Sequence, residues 1–187
     1  NVTECVGGAC GLTEADLTDR EWEGESIVIL DFGSQYTQLI ARKIRAEKVF
    51  STILPNSATL EEIKASNPVG IVLSGGPANV TETQAPDLAA DIFSLGVPIL
   101  GICYGMQLIS IRRGADVDRS DHREFGKTMV SVDTGSPLFR GTPEGQKVWM
   151  SHGVRVNTLP AGFEAVAFSE GCPIAAVQNV SEMIFGL

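Results

Sequence analysis

Cys103 is the residue of this 187-residue chain whose type and surroundings best suit nucleophilic chemistry. It lies in the sequence GICYG (residues 101–105), where an apolar run meets a segment with helical spacing. Glycines on both sides permit an abrupt strand-to-helix turn, which projects the thiol out of a sheet as in a nucleophile elbow. The N-terminus of the new helix is expected to lower the pKa of Cys103, and the backbone N–H of Tyr104 can face an oxyanion. The alternative is a small buried hydrophobic residue, as most free cysteines are.

Three further features could serve the same chemistry. The paired glycines of Ser74-Gly75-Gly76-Pro77 allow backbone amides to face a substrate, although a plain Gly-Pro turn has the same pattern. Gln107 lies one helical turn after Cys103, on the same face, and is either a substrate contact or a solvated side chain. His152 follows a strand and precedes a glycine, so it could reach the site, but a lone histidine is more often structural.

These residues are placed by an alternation of strand-like and helix-like segments. Strands are predicted at residues 27–32, 49–54, 69–76 and 97–102, and helices at 36–48, 59–65, 86–96 and 106–115. The first helix puts Tyr36, Leu39, Ile40 and Ile44 at helical spacing, and Thr59 and Glu62 have the spacing of a capping box. Unbroken apolar strands that alternate with helices indicate a parallel sheet with right-handed crossovers.

The predicted fold is α/β, with an open, mostly parallel twisted sheet and helices on both faces. After Gly114 the segments become shorter, which predicts added mixed or antiparallel edge strands. Residues 1–25 are interpreted as a polar N-terminal leader, and residues 26–187 as one domain. Open sheets of this kind bind ligands beyond the carboxyl ends of their strands. The turns at 31–34, 74–77 and 101–105 all follow predicted strands at that edge.

Composition narrows the classes of partner. The 14 Lys and Arg against 23 Asp and Glu give a net charge of −9, which argues against nucleic acid because phosphate binding needs clustered cations. No apolar run approaches the roughly 18 residues of a membrane span, and the first residues lack a signal peptide pattern. We therefore expect a cytoplasmic protein without a membrane partner. Cys5 and Cys10 lack a second ligand pair, so no metal site is predicted.

The motifs GICYGMQ, SGGP and SHG together resemble the class I, triad-type glutamine amidotransferases, whose fold is flavodoxin-like. ILDFGSQYTQLIARKIRA and REFGK are similar to the amidotransferase domains of the glutamine-hydrolysing GMP synthase family, over residues 26–187. The resemblance implies hydrolysis of glutamine to supply ammonia for the amination of XMP to GMP. It also implies a partner ATP-pyrophosphatase (synthetase) domain that uses ATP and magnesium, and no cofactor in the amidotransferase domain.

The resemblance also implies roles for particular residues. Cys103 would be the nucleophile that forms a glutamyl thioester, and Gly76 and Tyr104 would supply the oxyanion N–H groups. The glutamine pocket would be lined by Gly75, Gln107, Ser151 and His152. The family's acid after Ser-His-Gly is replaced here by Val154.

The family's base is not among the residues that match. Its His and Glu lie in a Gln-Phe-His-Pro-Glu motif, which would begin just after Leu187. We therefore expect an incomplete domain with little glutaminase activity and with Met183, Ile184, Phe185 and Leu187 exposed as a frayed strand. Two alternatives remain: a non-catalytic domain that binds glutamine or a partner, and another α/β cysteine hydrolase.

Overall fold

A computed structural model describes residues 24–187, apart from the side chains of residues 119–125 and 151–152. Within this range a nine-stranded sheet has the order β2-β1-β3-β4-β9-β8-β7-β5-β6. The strands are β1 Ser26–Asp31, β2 Ser51–Pro55, β3 Pro68–Leu73, β4 Ile99–Gly101, β5 Val117–Val132, β6 Gly145–Val156, β7 Glu164–Phe168, β8 Ala176–Asn179 and β9 Ile184–Gly186. The helices are α1 Thr37–Ala46, α2 Leu60–Ala65 and α3 Tyr104–Arg112, and a 3₁₀ turn covers Ile92–Leu95.

The first half of the sheet is parallel, as the unbroken apolar runs predict. Strands β2, β1, β3, β4 and β9 all pair in parallel. Alternate residues of β1 face opposite sides: Val28 packs in the cluster that contains α2 and α3 residues, whereas Ile29 packs against Ala41 of α1. Helices therefore cover both faces, which confirms the predicted α/β class.

The second half of the sheet is antiparallel. Strands β5, β6, β7 and β8 pair antiparallel, and β8 joins the parallel half through β9. A separate apolar cluster, which includes Val130, Val132 and Val166, lies on one face of this half. The prediction of mixed or antiparallel strands after Gly114 is confirmed, although β5 and β6 are longer than the short segments in the sequence suggested.

The helix predicted at residues 86–96 is wrong apart from the 3₁₀ turn. Backbone groups of this segment bind distant partners instead of their own chain: Asn56 donates to the carbonyl of Asp87 at 3.0 Å and Arg112 to that of Leu88 at 3.3 Å. The N–H of Ala89 also donates to the Asn56 carbonyl at 3.4 Å. These tertiary hydrogen bonds compete with the local i to i−4 pattern that a helix needs.

The predicted frayed terminal strand is also wrong. β9 lies between β4 and β8, so its backbone pairs on both sides, and Ile184 is only 1% exposed. A strand in the interior of a sheet cannot fray as an edge strand does, because both of its ladders must break. Of the four residues expected to be exposed, Met183 and Leu187, which flank the strand, are the exposed ones.

Of the remaining local predictions, one is confirmed and one is only partly met. Thr59 caps α2, with its hydroxyl accepting from the Glu62 N–H and the Glu62 carboxylate accepting from the Thr59 N–H, so the capping box is confirmed. At the first helix, by contrast, Tyr36, which precedes α1, and Leu39 are exposed rather than buried, and Ile40 and Ile44 make the contacts with the sheet. Across residues 24–187, no helix has the length and apolar character needed to cross a membrane.

Candidate active site

Cys103 occupies the turn between β4 and α3 in a conformation that few residues other than glycine adopt. Its φ is 52° and its ψ is −104°. Such backbone geometry costs of order 1–3 kcal/mol and persists only where the surroundings enforce it. The thiol is partly exposed. The predicted nucleophile elbow is therefore present in the structure, with backbone strain at the cysteine.

The two glycines that flank Cys103 are explained by close backbone contacts. A Cβ on Gly101 would lie 2.6 Å from the carbonyl carbon of Gly105, and a Cβ on Gly105 would lie 2.5 Å from the carbonyl oxygen of Leu73. Both distances are too short for any side chain. The start of α3 can thus pack closely against β4 and against the end of β3 only because these two positions lack side chains.

The turn that contains Gly75 and Gly76 lies opposite the cysteine. A Cβ placed on Gly75 would be 3.7 Å from the Cβ of Cys103 and 3.7 Å from the Oγ of Ser34. Within the described part of the chain, the N–H of Gly76 has no hydrogen-bond partner. An unpaired N–H on a turn that faces the nucleophile is available to a substrate oxygen.

Ser74 joins this turn to the turn after β1, which Asp31 in turn holds in place. The hydroxyl of Ser74, which is fully buried, accepts from the Phe32 N–H at 2.9 Å and donates to the Gly75 carbonyl at 2.8 Å. The Asp31 carboxylate accepts from the Gly33 N–H at 2.9 Å, from the Ser34 N–H at 3.3 Å and from the Thr37 hydroxyl at 2.8 Å. The turn after β1 and the turn after β3 therefore form one hydrogen-bonded unit.

Tyr104 fixes the first turn of α3. Its ring packs against Phe32 with the centroids 5.4 Å apart, and its hydroxyl donates to the Pro86 carbonyl. Burial, and to a smaller extent the charge of Asp87, raise the pKa of this phenol. The side chain is thus an anchor, which leaves the backbone N–H of Tyr104 as the group that faces the Cys103 sulfur.

The pKa of Cys103 moves in the opposite direction to the sequence prediction. Burial raises the pKa of the thiol, and the hydrogen bond from the Tyr104 N–H, which lowers it, is the smaller effect. Desolvation disfavours the thiolate because the charged form loses more hydration than the thiol. The expectation of a lowered pKa is therefore wrong for the residues described, and near neutral pH less of this thiol is ionised than in an unperturbed cysteine.

Gln107 is buried at 6% exposure, so the alternative of a solvated glutamine is excluded. Its backbone N–H donates to the Cys103 carbonyl at 3.1 Å, which places it one helical turn after the nucleophile. Its side-chain Nε2 donates to the carbonyl of Val154 at 3.0 Å. The position where the resembling family has an acid thus contributes a backbone acceptor to Gln107.

A pocket of about 800 Å³ brings most of the predicted residues together. Cys103, Gly75, Gly76 and Gln107 all line it. Ser151 and His152 lie on β6 by their backbone positions, but their side chains are outside the described residues, as is all of the segment with Cys5 and Cys10.

The pocket also includes parts to which the sequence analysis gave no role. Among them are the buried Cys172 and the chain end at Leu187, and also residues 33–36, of which Gly33 and Ser34 belong to the turn named above. The carbonyl of Leu187 accepts from the Cys103 N–H at 2.6 Å, and the Leu187 N–H donates to the Gly101 carbonyl at 2.9 Å. The turn after β1 was visible as a glycine-bearing segment at a strand end, whereas the pairing of β9 with β4 leaves no local signal in the sequence.

The comparison with known families agrees with this geometry. A family model described as glutamine amidotransferase class-I matches residues 28–187. The GMP synthase (glutamine-hydrolyzing) of Latilactobacillus sakei is 49% identical over 177 residues, which are 94% of this chain and 34% of that protein. The protein of the same name from Lactiplantibacillus plantarum is 52% identical over 165 residues, 87% of this chain and 32% of its own length. The chain spans about a third of the length of these curated relatives.

Solved structures give the same result for the fold. A Thermoplasma acidophilum protein, described as a proposed subunit of GMP synthase, superimposes with a TM-score of 0.73 at 33% identity, covering 86% of this chain and 81% of that one. A glutamine amidotransferase from Thermotoga maritima has a TM-score of 0.65 at 22% identity, over 87% of this chain and 74% of that one. The second likeness concerns the fold alone.

Proposed function

The chain belongs to the class-I glutamine amidotransferase family, and we propose that its pocket binds glutamine and that Cys103 attacks the side-chain amide. The observation that carries this proposal is the strained turn at Cys103 opposite the unpaired N–H of Gly76. A thiol and two backbone donors at one point suit acyl transfer, in which negative charge develops on a carbonyl oxygen.

The proposed reaction has two steps. The Cys103 thiolate adds to the amide carbon of glutamine, and the N–H groups of Gly76 and Tyr104 stabilise the resulting oxyanion. Collapse breaks the C–N bond, and the nitrogen leaves as ammonia after it gains a proton. Water then adds to the thioester, which releases glutamate and restores the thiol. Gly75, Gln107, Ser151 and His152 are proposed to hold the amino-acid end of the substrate.

We propose that the base comes from a segment joined to Leu187. The contact that supports this placement is the hydrogen bond from the Cys103 N–H to the Leu187 carbonyl at 2.6 Å. A residue joined to that carbonyl begins beside the Cys103 backbone and at the pocket that both residues line, where the His-Pro-Glu motif of the resembling family would lie. The 187-residue chain by itself is then expected to bind glutamine and to hydrolyse it very slowly.

For the whole protein, we propose the activity named by its relatives, the glutamine-hydrolysing GMP synthase reaction. Ammonia from the pocket would pass to a synthetase domain that uses ATP and magnesium to aminate XMP. The identity of about 50% to proteins of this name supports the proposal.

Labelling by the chloroketone analogue of glutamine tests the proposal on this chain. The Cys103 thiolate adds to the ketone and then displaces chloride, which leaves a thioether that mass spectrometry locates. We expect labelling at Cys103 with protection by glutamine, no adduct after Cys103→Ala, and unchanged labelling after Cys172→Ala.

Glutamate release distinguishes the alternatives. The chain extended past Leu187 by the family motif is expected to release glutamate faster than the 187-residue chain. Binding with no release from the extended chain would favour a non-catalytic binding domain. Labelling that glutamine does not prevent would favour a cysteine hydrolase of other specificity.

A further inference from the structure

Among the described residues, Ser74 is the fully buried hydroxyl that contacts the turn opposite Cys103, and the proposed chemistry assigns it no role. It is 0% exposed, follows the last residue of β3 and precedes the two pocket glycines. Its backbone N–H donates to the Leu30 carbonyl at 3.1 Å, which extends the pairing of β3 with β1 by one residue. The Ser74 backbone is therefore held by the sheet, and its side-chain hydroxyl can form hydrogen bonds with neighbouring residues.

The hydroxyl of Ser74 makes two bonds of different kinds. As an acceptor it takes the Phe32 N–H at 2.9 Å, and as a donor it reaches the Gly75 carbonyl at 2.8 Å. The Asp31 carboxylate is a more distant acceptor at 3.5 Å. Because a hydroxyl has a single proton, the shorter bond to Gly75 is the favoured one.

The hydrogen bond to the Gly75 carbonyl also fixes the orientation of the whole Gly75–Gly76 peptide. The Gly75–Gly76 peptide is trans, and in a planar trans peptide the C=O and the following N–H point in opposite directions. Holding the Gly75 oxygen on the buried side therefore turns the Gly76 N–H to the other side, toward the pocket that Gly76 lines. Glycines restrain peptide rotation weakly, so an external hydrogen bond is needed to keep this orientation.

A rotated peptide would reverse the electrostatics of the site. The Gly75 carbonyl would then face the pocket, and its partial negative charge would repel a developing oxyanion instead of stabilising it. Gly76 cannot shift far to compensate, because a Cβ built on it would lie 2.7 Å from the Phe32 carbonyl oxygen, which shows how closely the two backbones pack.

We propose that Ser74 is a positioning residue that orients the Gly75–Gly76 peptide, so that the Gly76 N–H faces the oxyanion formed at Cys103. This inference rests on the proposed function, since the Gly76 N–H that Ser74 orients is an oxyanion donor in the proposed reaction. It assigns Ser74 no contact with the substrate.

Two alkylating reagents test the proposal on the 187-residue chain. The chloroketone analogue of glutamine reacts through a tetrahedral oxyanion, whereas iodoacetamide alkylates the thiolate by direct displacement without one. For Ser74→Ala we expect the chloroketone rate at Cys103 to fall about tenfold, less than the 10²–10³ typical for complete loss of an oxyanion donor. The iodoacetamide rate should stay within about twofold, because the thiol itself is untouched.

Ser110→Ala is the matched control. Ser110 is also 0% exposed and donates to the Met106 carbonyl at 2.9 Å, but it lies inside α3 and does not line the pocket. It should leave both rates unchanged. If Ser74→Ala does not fold, Ser74→Cys fills the same space with a weaker donor, and peptide mapping counts adducts at Cys103 alone.

Each result has one interpretation. A selective loss of chloroketone reactivity supports the proposal. Equal losses with both reagents would indicate a merely structural role and overturn it, as would no loss with either. If the unmodified chain shows no glutamine-protected chloroketone labelling, the proposed function itself fails and this inference fails with it.

Discussion

At the scale of single residues, Cys103 combines two properties that work against each other. Cys103 has a strained backbone conformation with positive φ and lines the pocket, and burial in the same place raises the pKa of its thiol. A cysteine that is projected but largely protonated reacts slowly near neutral pH, because only the thiolate is the nucleophile. The residue therefore depends on a proton acceptor, which makes its reactivity strongly dependent on pH.

The pH dependence can be measured by alkylation. The Cys103 rate with iodoacetamide should rise with pH through a midpoint above the pKa of about 8.5 of an unperturbed thiol. The midpoint lies above the ordinary value because the pKa of the thiol is raised. At any pH below this midpoint the folded chain therefore holds less thiolate than a free cysteine. In urea the same residue should titrate at its ordinary value. A midpoint lower in the folded chain than in urea would contradict the dominance of desolvation.

At the scale of elements, the turn after β3 shows how two neighbouring glycines differ. A Cβ on Gly75 would make contacts of 3.7 Å, which are ordinary, whereas a Cβ on Gly76 would lie 2.7 Å from the Phe32 carbonyl oxygen. The first position has space that belongs to the pocket, and the second has none. The two adjacent glycines therefore meet different requirements: Gly75 leaves space in the pocket, and Gly76 allows close packing against Phe32.

Alanine at each position should separate these requirements. Gly75→Ala is expected to keep the melting temperature but to reduce chloroketone labelling of Cys103 by about tenfold or more, because one extra carbon narrows the pocket. Gly76→Ala is expected to lower the free energy of unfolding by about 1–3 kcal/mol through overpacking. Thermal melts and labelling rates measure the two effects. A destabilised Gly75→Ala with normal labelling would reverse the assignment.

The elements also show where sequence reasoning succeeded. The Thr59–Glu62 capping box and the strand ends before each turn depend on neighbouring residues, and both were predicted. The segment at residues 86–96 was misjudged because its hydrogen bonds go to Asn56 and Arg112, which lie far away in the chain. Similarly, the exposed Tyr36 has helical spacing, yet no part of the described chain covers it.

At the scale of the whole molecule, the last strand joins the two halves of the sheet. β9 pairs in parallel with β4 and antiparallel with β8, and Ile184 belongs to the main core cluster. The parallel half with the nucleophile and the antiparallel half with β5 and β6 therefore share a central strand. Loss of packing at this strand should weaken the whole sheet rather than a local edge.

Ile184→Ala tests this role. The expected loss in the free energy of unfolding is about 2–5 kcal/mol, as for other large-to-small changes in a core. Met129→Ala, at a side chain that is 60% exposed on β5, should change it by less than about 0.5 kcal/mol. Urea denaturation of both variants provides the measurement. Equal small effects would mean that β9 frays, as the sequence alone suggested.

Features that depend on neighbouring residues can be read from the amino-acid sequence. These are the apolar strands, the glycine spacing around Cys103, the capping box of α2 and the α/β class. The folded chain shows three features that no neighbouring residues predict: Gly75 faces Cys103, the Gln107 amide binds the Val154 carbonyl, and β9 lies at the centre of the sheet. The direction in which the pKa of Cys103 shifts belongs with them. Desolvation depends on what the whole fold packs around a residue, whereas a turn or a cap depends only on the residues beside it.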